Sequence, residues 1–381
     1  MNSIPTTILL LFSIPILAYF FSTLLFAWGL HRRKPGGNSK NKSVSVIIAA
    51  RDEEAVLPTL LDALTRQTYP ETLYDVVVVD DQSTDATPEI GKRYASNHSN
   101  ISYIRIDDTP KNYGPKKWAL NQGIKASSRE IILCIDADCI PELTWIEVMV
   151  SYFTQNVGMV VGYAEVMVEN EQSLLQRWQA FDFLAMMAAG EGALNWGISL
   201  AATGQNLGFT RGAFDAVGGY SQIARGMTGD DVLLLQLIRN KTDYDIVFAG
   251  DPGAYNRTYP HHTILGLLRQ RIRWAADAPT QIRTDFKFFL YLLVVFLMYT
   301  VILGGLIYAF TQPEFWHIFL LGVGVKLIGE FILLRYAVKV YQREKLFSIF
   351  PLWTLLQIPY IIIVGVSGLF VDYSWKGRKR R

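Results

Sequence analysis

Hydrophobic and polar positions follow two different rhythms along this chain, and the change of rhythm marks its parts. Residues 4–28 carry no charge, a run of about 25 positions that lets a helix cross a hydrocarbon core of roughly 30 Å. The basic run from His31 to Lys34 comes directly after it. A cleavable leader would have a basic start and a short apolar stretch ending in small residues, so residues 1–30 read as a retained transmembrane anchor. The positive-inside rule assigns the residues beyond this basic run to the cytoplasm. Residues 35–43 (PGGNSKNKS) read as a flexible polar linker. From 42 to 283, short β-branched runs alternate with polar helical stretches, the signature of one soluble α/β domain. Lipid-like runs return at 288–310, about 316–335 and about 347–370, within a C-terminal region of 286–371, before a basic tail at 372–381.

The pattern leaves two features of that region open. Lys326 and Glu330 lie four residues apart on one helix face, as consistent with a tolerated intramembrane ion pair as with a functional site. Charge parity is the second. Arg269, Arg271, Arg273, Arg283 and Lys287 assign the entry to the first run to the cytoplasm, and Lys339, Arg343 and Lys345 the return from the second. A third full crossing would leave the basic KGRKRR at 376–381 outside. Either the positive-inside rule fails there, or the last run, broken by Pro351 and Pro359, folds back or lies in the interface.

Within the soluble stretch, 43–50 (SVSVIIAA) is stopped by Arg51, Asp52, Glu53 and Glu54, and 53–67 has helical spacing at Val56, Leu60, Leu61 and Leu64. The plan repeats. Residues 76–79 end in DDQSTDAT at 80–87 with a helix to about 97, 102–106 lead into a loop and the helix KKWALNQGIKA, and 131–135 end in DADC at 136–139. Short strands buried on both faces, each followed by a helix, predict a mainly parallel, doubly wound sheet that binds ligands at the carboxyl ends of its strands. The acids after the first, second and fourth strands then converge on one rim. Helix capping accounts for Glu53 or Asp85 taken singly. Asp136 and Asp138, one residue apart on an extended segment, instead suit a hard divalent cation held by few protein oxygens and completed by phosphate.

Composition narrows the class. Half of the 381 residues are hydrophobic and 18% are charged, below the roughly 25% of ordinary domains, so part of the chain belongs in lipid. Thirty-six Lys and Arg against 34 Asp and Glu leave a formal charge of +2, too balanced for a nucleic-acid partner bound by phosphate neutralisation. Cys134 and Cys139 make neither a disulfide framework nor a four-cysteine zinc site; they read as buried small apolar residues in reduced, cytosol-facing surroundings. His261 and His262 lack a third ligand and read as structural or interfacial. Residues 172–227 hold QRWQAFDF, a Met-rich helix to about 190 with Met186 and Met187 as core, and a short glycine-closed helix at 211–219. Gly204, Gln205 and Asn206 suit the floor of an acceptor site.

Residues 43 to about 274 resemble the family 2 glycosyltransferases, α/β enzymes with a nucleotide-binding GT-A fold. SVIIAARDEE resembles the family's first nucleotide-binding strand, VVVVDDQSTD its second, and Asp136-Ala137-Asp138 its metal-binding Asp-x-Asp. Lys116 matches the lysine of a Lys-x-x-Ala-Leu-Asn pattern of the donor pocket. Thr228-Gly229-Asp230-Asp231 resembles the Thr/Gly-Glu-Asp motif whose last Asp is the catalytic base, with Asp230 where Glu is usual. Gln270, Arg273 and Trp274 fit the Gln-x-x-Arg-Trp signature of membrane-bound polysaccharide synthases and ceramide-type glucosyltransferases. The same segment also reads as a cationic amphipathic helix at a membrane surface, with Leu265, Leu268 and Ile272 toward lipid and its arginines toward headgroups.

The resemblance implies roles. Asp138 and Asp136 would bind Mg2+ or Mn2+, and Asp80 would accept from the base, supported by Asp81 and Glu53. Lys116 would contact donor phosphates or sugar, Gln270 and Arg273 would belong to the diphosphate site, and Trp274 would stack an acceptor. Asp231, beside Asp230, acts as base or merely caps the helix it opens. The expected protein is an integral plasma-membrane, metal-dependent inverting glycosyltransferase with its catalytic domain in the cytoplasm. It would move a sugar from a nucleotide sugar, a UDP-sugar, to a hydroxyl of a lipid or lipid-linked acceptor. A processive polysaccharide synthase is the alternative, though about four apolar segments are few for a polymer channel; a non-catalytic nucleotide-binding membrane protein is a remote one.

Overall fold

A computed structural model describes residues 4–37, 41–200, 202–226, 229–371, 374–376 and 378–379. Positions 38–40 of the expected linker, Thr228 of the Thr-Gly-Asp-Asp motif, and 372, 373, 377, 380 and 381 of the basic tail lie outside the described residues. The chain runs through α1 (Thr6–His31), β1 (Val44–Ala50), α2 (Leu57–Thr65), β2 (Tyr74–Asp81), α3 (Thr87–Asn97), β3 (Ile101–Ile106), α4 (Pro115–Ala126) and β4 (Ile131–Cys134). Next come β5 (Cys139–Pro141), α5 (Trp145–Ser151), β6 (Val157–Gly162), β7 (Ala164–Val166), α6 (Leu174–Leu194), β8 (Leu207–Thr210), α7 (Arg211–Ala216) and α8 (Val232–Lys241). The last elements are β9 (Asp245–Ala249), β10 (Asn256–Thr258), α9 (Ile264–Ala275), α10 (Ala278–Thr284), α11 (Phe286–Thr311), α12 (Trp316–Val340), α13 (Phe350–Phe370) and a short tail hairpin.

Two compact units result. One holds Arg33–Met167, Ala201–Pro260 and Asp372–Arg381; the other holds Met1–Arg32, Val168–Leu200 and His261–Val371. Within the stretch 42–283, α6, α9 and α10 group with the apolar helices. The reason lies in α6, whose Gln176, Gln179, Asp182 and Glu191 are all buried. A polar helix reads as soluble from its sequence, yet these polar groups find partners inside the helical unit: Gln357 donates to Asp182 at 2.6 Å and Tyr341 to Glu191 at 2.6 Å.

Among the described residues, the larger sheet of the sheet unit has seven strands in the order β3-β2-β1-β4-β8-β6-β9. β1 is parallel to β2 and β4, β2 to β3, and β6 to β9, while β8 runs antiparallel to both its neighbours. Val46, Ile47 and Ile48 on β1 are all fully buried, as a strand covered on both faces requires. The register pairs Ala50 with Asp80 and Ile47 with Cys134, so β1, β2 and β4 end along one rim. A smaller sheet, β5-β10-β7, lies in the same unit.

Among the described residues of the helical unit, four helices are long and apolar enough to cross a membrane: Thr6–His31, Phe286–Thr311, Pro313–Val340 and Glu344–Phe370. α1 and α6 pack backbone to backbone at Gly29, where an added Cβ would lie 2.0 Å from the Gly192 carbonyl oxygen. Lys326 and Glu330 do pair, at 2.9 Å, with both side chains almost wholly buried. Tyr19 and Tyr299 each donate to Glu330 Oε1 at 3.1 Å, Thr354 donates to Oε2 at 2.9 Å, and Lys326 donates to Thr354 Oγ1 at 2.6 Å. One network thus ties α1, α11, α12 and α13 together. The start of α13 meets Glu330 through Thr354, whereas near its end an added Cβ on Gly368 would lie 2.7 Å from the Ala275 side chain of α9.

Candidate functional site

The turns after β1 and β2 are laced to one another. Asp52 takes a left-handed φ of 50° and Gln82 one of 59°, which turns the chain sharply at each strand end. The Asp52 N–H donates to Ser83 Oγ at 3.0 Å, Thr84 N–H to Asp52 Oδ1 at 2.8 Å, and Glu54 N–H to Asp85 Oδ2 at 3.0 Å. Asp85 also accepts from Thr87 N–H at 3.0 Å, the capping role its position suggests. Glu53 does not cap. Its carboxylate is turned inward against Lys376; burial first, then the charges of Asp138 and Asp136, push it up to about 7 against the opposing pull of Lys376.

Asp80 is fully buried. Its Oδ1 accepts from Ser83 N–H at 2.9 Å, and its Oδ2 from Tyr103 at 2.8 Å and Arg105 at 2.9 Å. Asp81 is buried beside it, its carbonyl accepting from Arg51 at 2.6 Å. Asp80 thus braces the second turn, and a donor base approaching it meets a carboxylate whose two oxygens are already engaged.

The chemistry gathers around Lys116 at the start of α4. Its Nζ lies 2.7 Å from Asp136 and 2.9 Å from Asp230. Burial alone would push this ammonium down, but Asp136, Asp230 and Asp231 hold it well above its ordinary value. Burial would likewise raise Asp230, yet Lys116 overrides it and keeps that carboxyl below the usual range. Asp231, next in the chain, behaves oppositely: burial and the Asp230 charge push it up to about 6. Its Oδ2 accepts from Gly204 N–H at 2.9 Å and its Oδ1 from Val232 N–H at 2.7 Å, so it caps α8 and still faces the cluster. Two adjacent carboxylates with separated pKa values are an acid–base arrangement.

Asp138 is raised by burial and then by Asp136, a carboxylate whose charge is not fully compensated by the protein. That fits a hard cation. Among the described residues no three His, Cys, Asp or Glu side chains gather tightly enough to hold a metal alone, so an ion held by Asp138 and Asp136 would be completed by ligand oxygens.

Of the proposed acceptor floor, only Gly204 borders the cluster. Asn206 is fully buried, accepting from Trp145 at 2.9 Å and donating to the Tyr163 and Ala254 carbonyls at 2.8 Å; the Gln205 carbonyl accepts from Asn256. A Cβ on Gly204 would lie 2.8 Å from Lys116 Nζ and 3.0 Å from Asp230 Oδ2. Gly204→Ala is accordingly expected to lower turnover by about 10²-fold through displacement of Lys116. Its melting temperature should stay near that of the wild type; full activity in the variant would show that Lys116 need not hold its place.

Two lysines that sequence reasoning passed over matter here. Lys117 is buried and donates to the Ile223 and Arg225 carbonyls at 2.7 and 3.2 Å, anchoring the loop that leads to Gly229, Asp230 and Asp231. The Lys-Lys dipeptide thus splits its work, one ammonium to carboxylates and one to carbonyls. Lys376 was visible only as one charge in a basic tail.

Residues 45–217 match the family model for Glycosyl transferase family 2. The chain carries a family 2 glycosyltransferase domain. A poly-beta-1,6-N-acetyl-D-glucosamine synthase of Staphylococcus epidermidis is 26% identical over 70% of this chain and 60% of its own length. A beta-monoglucosyldiacylglycerol synthase of Nostoc is 26% identical over 82% of this chain and 68% of its own. The chain spans between 46% and 68% of the length of the curated relatives it matches. Among solved structures, the mannosyltransferase PcManGT of Pyrobaculum calidifontis superposes with a TM-score of 0.56 at 18% identity, covering 95% of this chain and 99% of that one. The fold is GT-A, as the sequence motifs implied.

The Gln-x-x-Arg-Trp residues belong to the helical unit. Gln270, Arg273 and Trp274 stand on α9. The intervening Arg271 does not face headgroups: it is 4% exposed, lies 3.0 Å from Asp182 of α6, and stacks over the Trp274 ring at 4.4 Å. His262 lies 3.9 Å from Glu169, and His261 exchanges backbone hydrogen bonds with the Gln179 side chain, both structural roles. Met187 is core, while Met186 is 42% exposed and lies 3.2 Å from Arg271. Cys134 and Cys139 are free and buried.

Proposed function

We propose that this protein is a membrane-embedded inverting glycosyltransferase that moves a sugar from a UDP-sugar to a hydroxyl of a lipid or lipid-linked acceptor. The observation that carries the reading is the Lys116 cluster, in which Asp230 is held ionised and Asp231 is poised near 6 at the rim where β1, β2 and β4 end. Asp231 would take the acceptor proton, Asp230 would keep Lys116 charged and placed, and Lys116 would face the donor's phosphates. Asp138 and Asp136 would hold Mg2+ or Mn2+, which when bound supplies positive charge for the departing diphosphate. The roles of Gln270, Arg273 and Trp274 toward donor and acceptor rest on their motif.

A lipid acceptor is supported by the monoglucosyldiacylglycerol synthase relative and by the four apolar helices. The polysaccharide synthase relative keeps chain extension in view, and product length from purified protein with one labelled donor separates the two: a single addition is expected, a polymer ladder would reverse the choice. We place the sheet unit on the cytoplasmic side of the plasma membrane.

The donor is tested first. In a panel of UDP-, GDP- and dTDP-sugars with Mn2+ or Mg2+, only the UDP compounds are expected to raise the melting temperature, and only with metal; saturation at a hundred times Kd stabilises by about 2.7 kcal/mol. Stabilisation by a GDP-sugar instead would change the donor, and none by any would overturn the function.

A further inference from the structure

Lys376 belongs to the sheet unit and sits at the tip of a hairpin in which Ser374 pairs with Lys379 and Trp375 with Arg378. It holds a left-handed φ of 45°, a conformation that lysine adopts at a cost and that the surrounding contacts must sustain. Those contacts are specific. Its Nζ donates to Glu53 Oε1, to the Arg51 carbonyl and, at 3.5 Å, to the Asp52 carbonyl, while Arg51 Nε donates back to the Lys376 carbonyl at 3.3 Å. These acceptors hold the ammonium against the turn after β1. The carboxylate it neutralises is within electrostatic reach of Asp136 and Asp138, the residues assigned to the cation.

We infer that Lys376 is an intramolecular cation that occupies the acidic rim when no donor is bound, and that a nucleotide diphosphate arriving with its divalent ion expels it. This rests on the donor reading of the same rim. The physical reason is charge: a divalent ion held by Asp136 and Asp138 supplies the positive charge that Lys376 otherwise brings to these acids, and repels the ammonium beside it.

The test reads the Lys376 amine directly. In the full-length protein in detergent, amine-reactive labelling followed by mass spectrometry is expected to find Lys376 protected, consistent with a side chain 24% exposed. Adding Mn2+ and UDP should raise its labelling while a surface lysine such as Lys92 stays constant. Glu53→Gln should raise it without any ligand. By linkage, Lys376→Met should bind Mn2+·UDP more tightly, by about fivefold, in the melting assay. Labelling of Lys376 that is unchanged or reduced while Mn2+·UDP still shifts the melting temperature would overturn the expulsion alone. No melting shift at all would overturn the donor reading and this inference with it.

Discussion

Asp231→Asn is expected to cut sugar transfer by about 10²–10⁴-fold, the usual cost of losing a general base, while Mn2+ and UDP still raise the melting temperature of the variant. The asparagine keeps the size of the side chain and can still accept from one of the two N–H groups, Gly204 or Val232, that bind the aspartate. It cannot accept from both, so a loss of about 1 kcal/mol of stability accompanies the change. A cap alone would show that small loss with transfer intact. The pH profile supplies a second reading. Because Asp231 is held up at about 6 by burial and by Asp230, and a base works only when ionised, the wild-type rate should be level above that pH and fall as pH drops through it. Transfer by the variant at the wild-type rate in a membrane assay would remove Asp231 from the chemistry.

The second large effect lies in the helical unit. Lys326→Met leaves Glu330 buried without its counter-ion, and breaking one side of such a pair costs about 3–5 kcal/mol. The tyrosines Tyr19 and Tyr299 and Thr354 still donate to Glu330, which keeps the loss toward the lower end. Replacing both members, Lys326→Met with Glu330→Leu, should recover stability relative to either single variant, since two apolar side chains need no partners. If the pair is structural, the double variant keeps transfer activity. A double variant that is stable in detergent yet inactive would make the pair functional, and a Lys326→Met protein as stable as the wild type would show that the network carries little energy.

Much of the sheet was legible because its signal is local. Strands buried on both faces must be apolar at every position, and runs such as 76–79 and 131–135 meet that condition; the observed β2 and β4 lie where those runs are. Turn chemistry was equally readable, since Asp85 caps and the acids come after the strands. Burial of polar side chains was not. Asp80 and Asn206 carry the residue types of a binding site, and both also hold the sheet unit together, Asp80 accepting from Tyr103 and Arg105 of β3 and Asn206 donating to the Ala254 carbonyl. Arg271 shares that fate, because its partner Asp182 is 89 positions away and no spacing rule connects them.

The order of residues was enough to specify the parallel β3-β2-β1-β4 part of the sheet, its acidic rim and the apolar helices, because each is dictated by hydrophobic periodicity and by where a strand must stop. Three-dimensional packing settled the remainder: which carboxylates burial and neighbouring charge push up, which lysine faces acids and which faces carbonyls, and that Lys376 reaches back 323 positions to Glu53. Those outcomes depend on burial and on pairwise distance, and neither quantity can be read from periodicity along the chain.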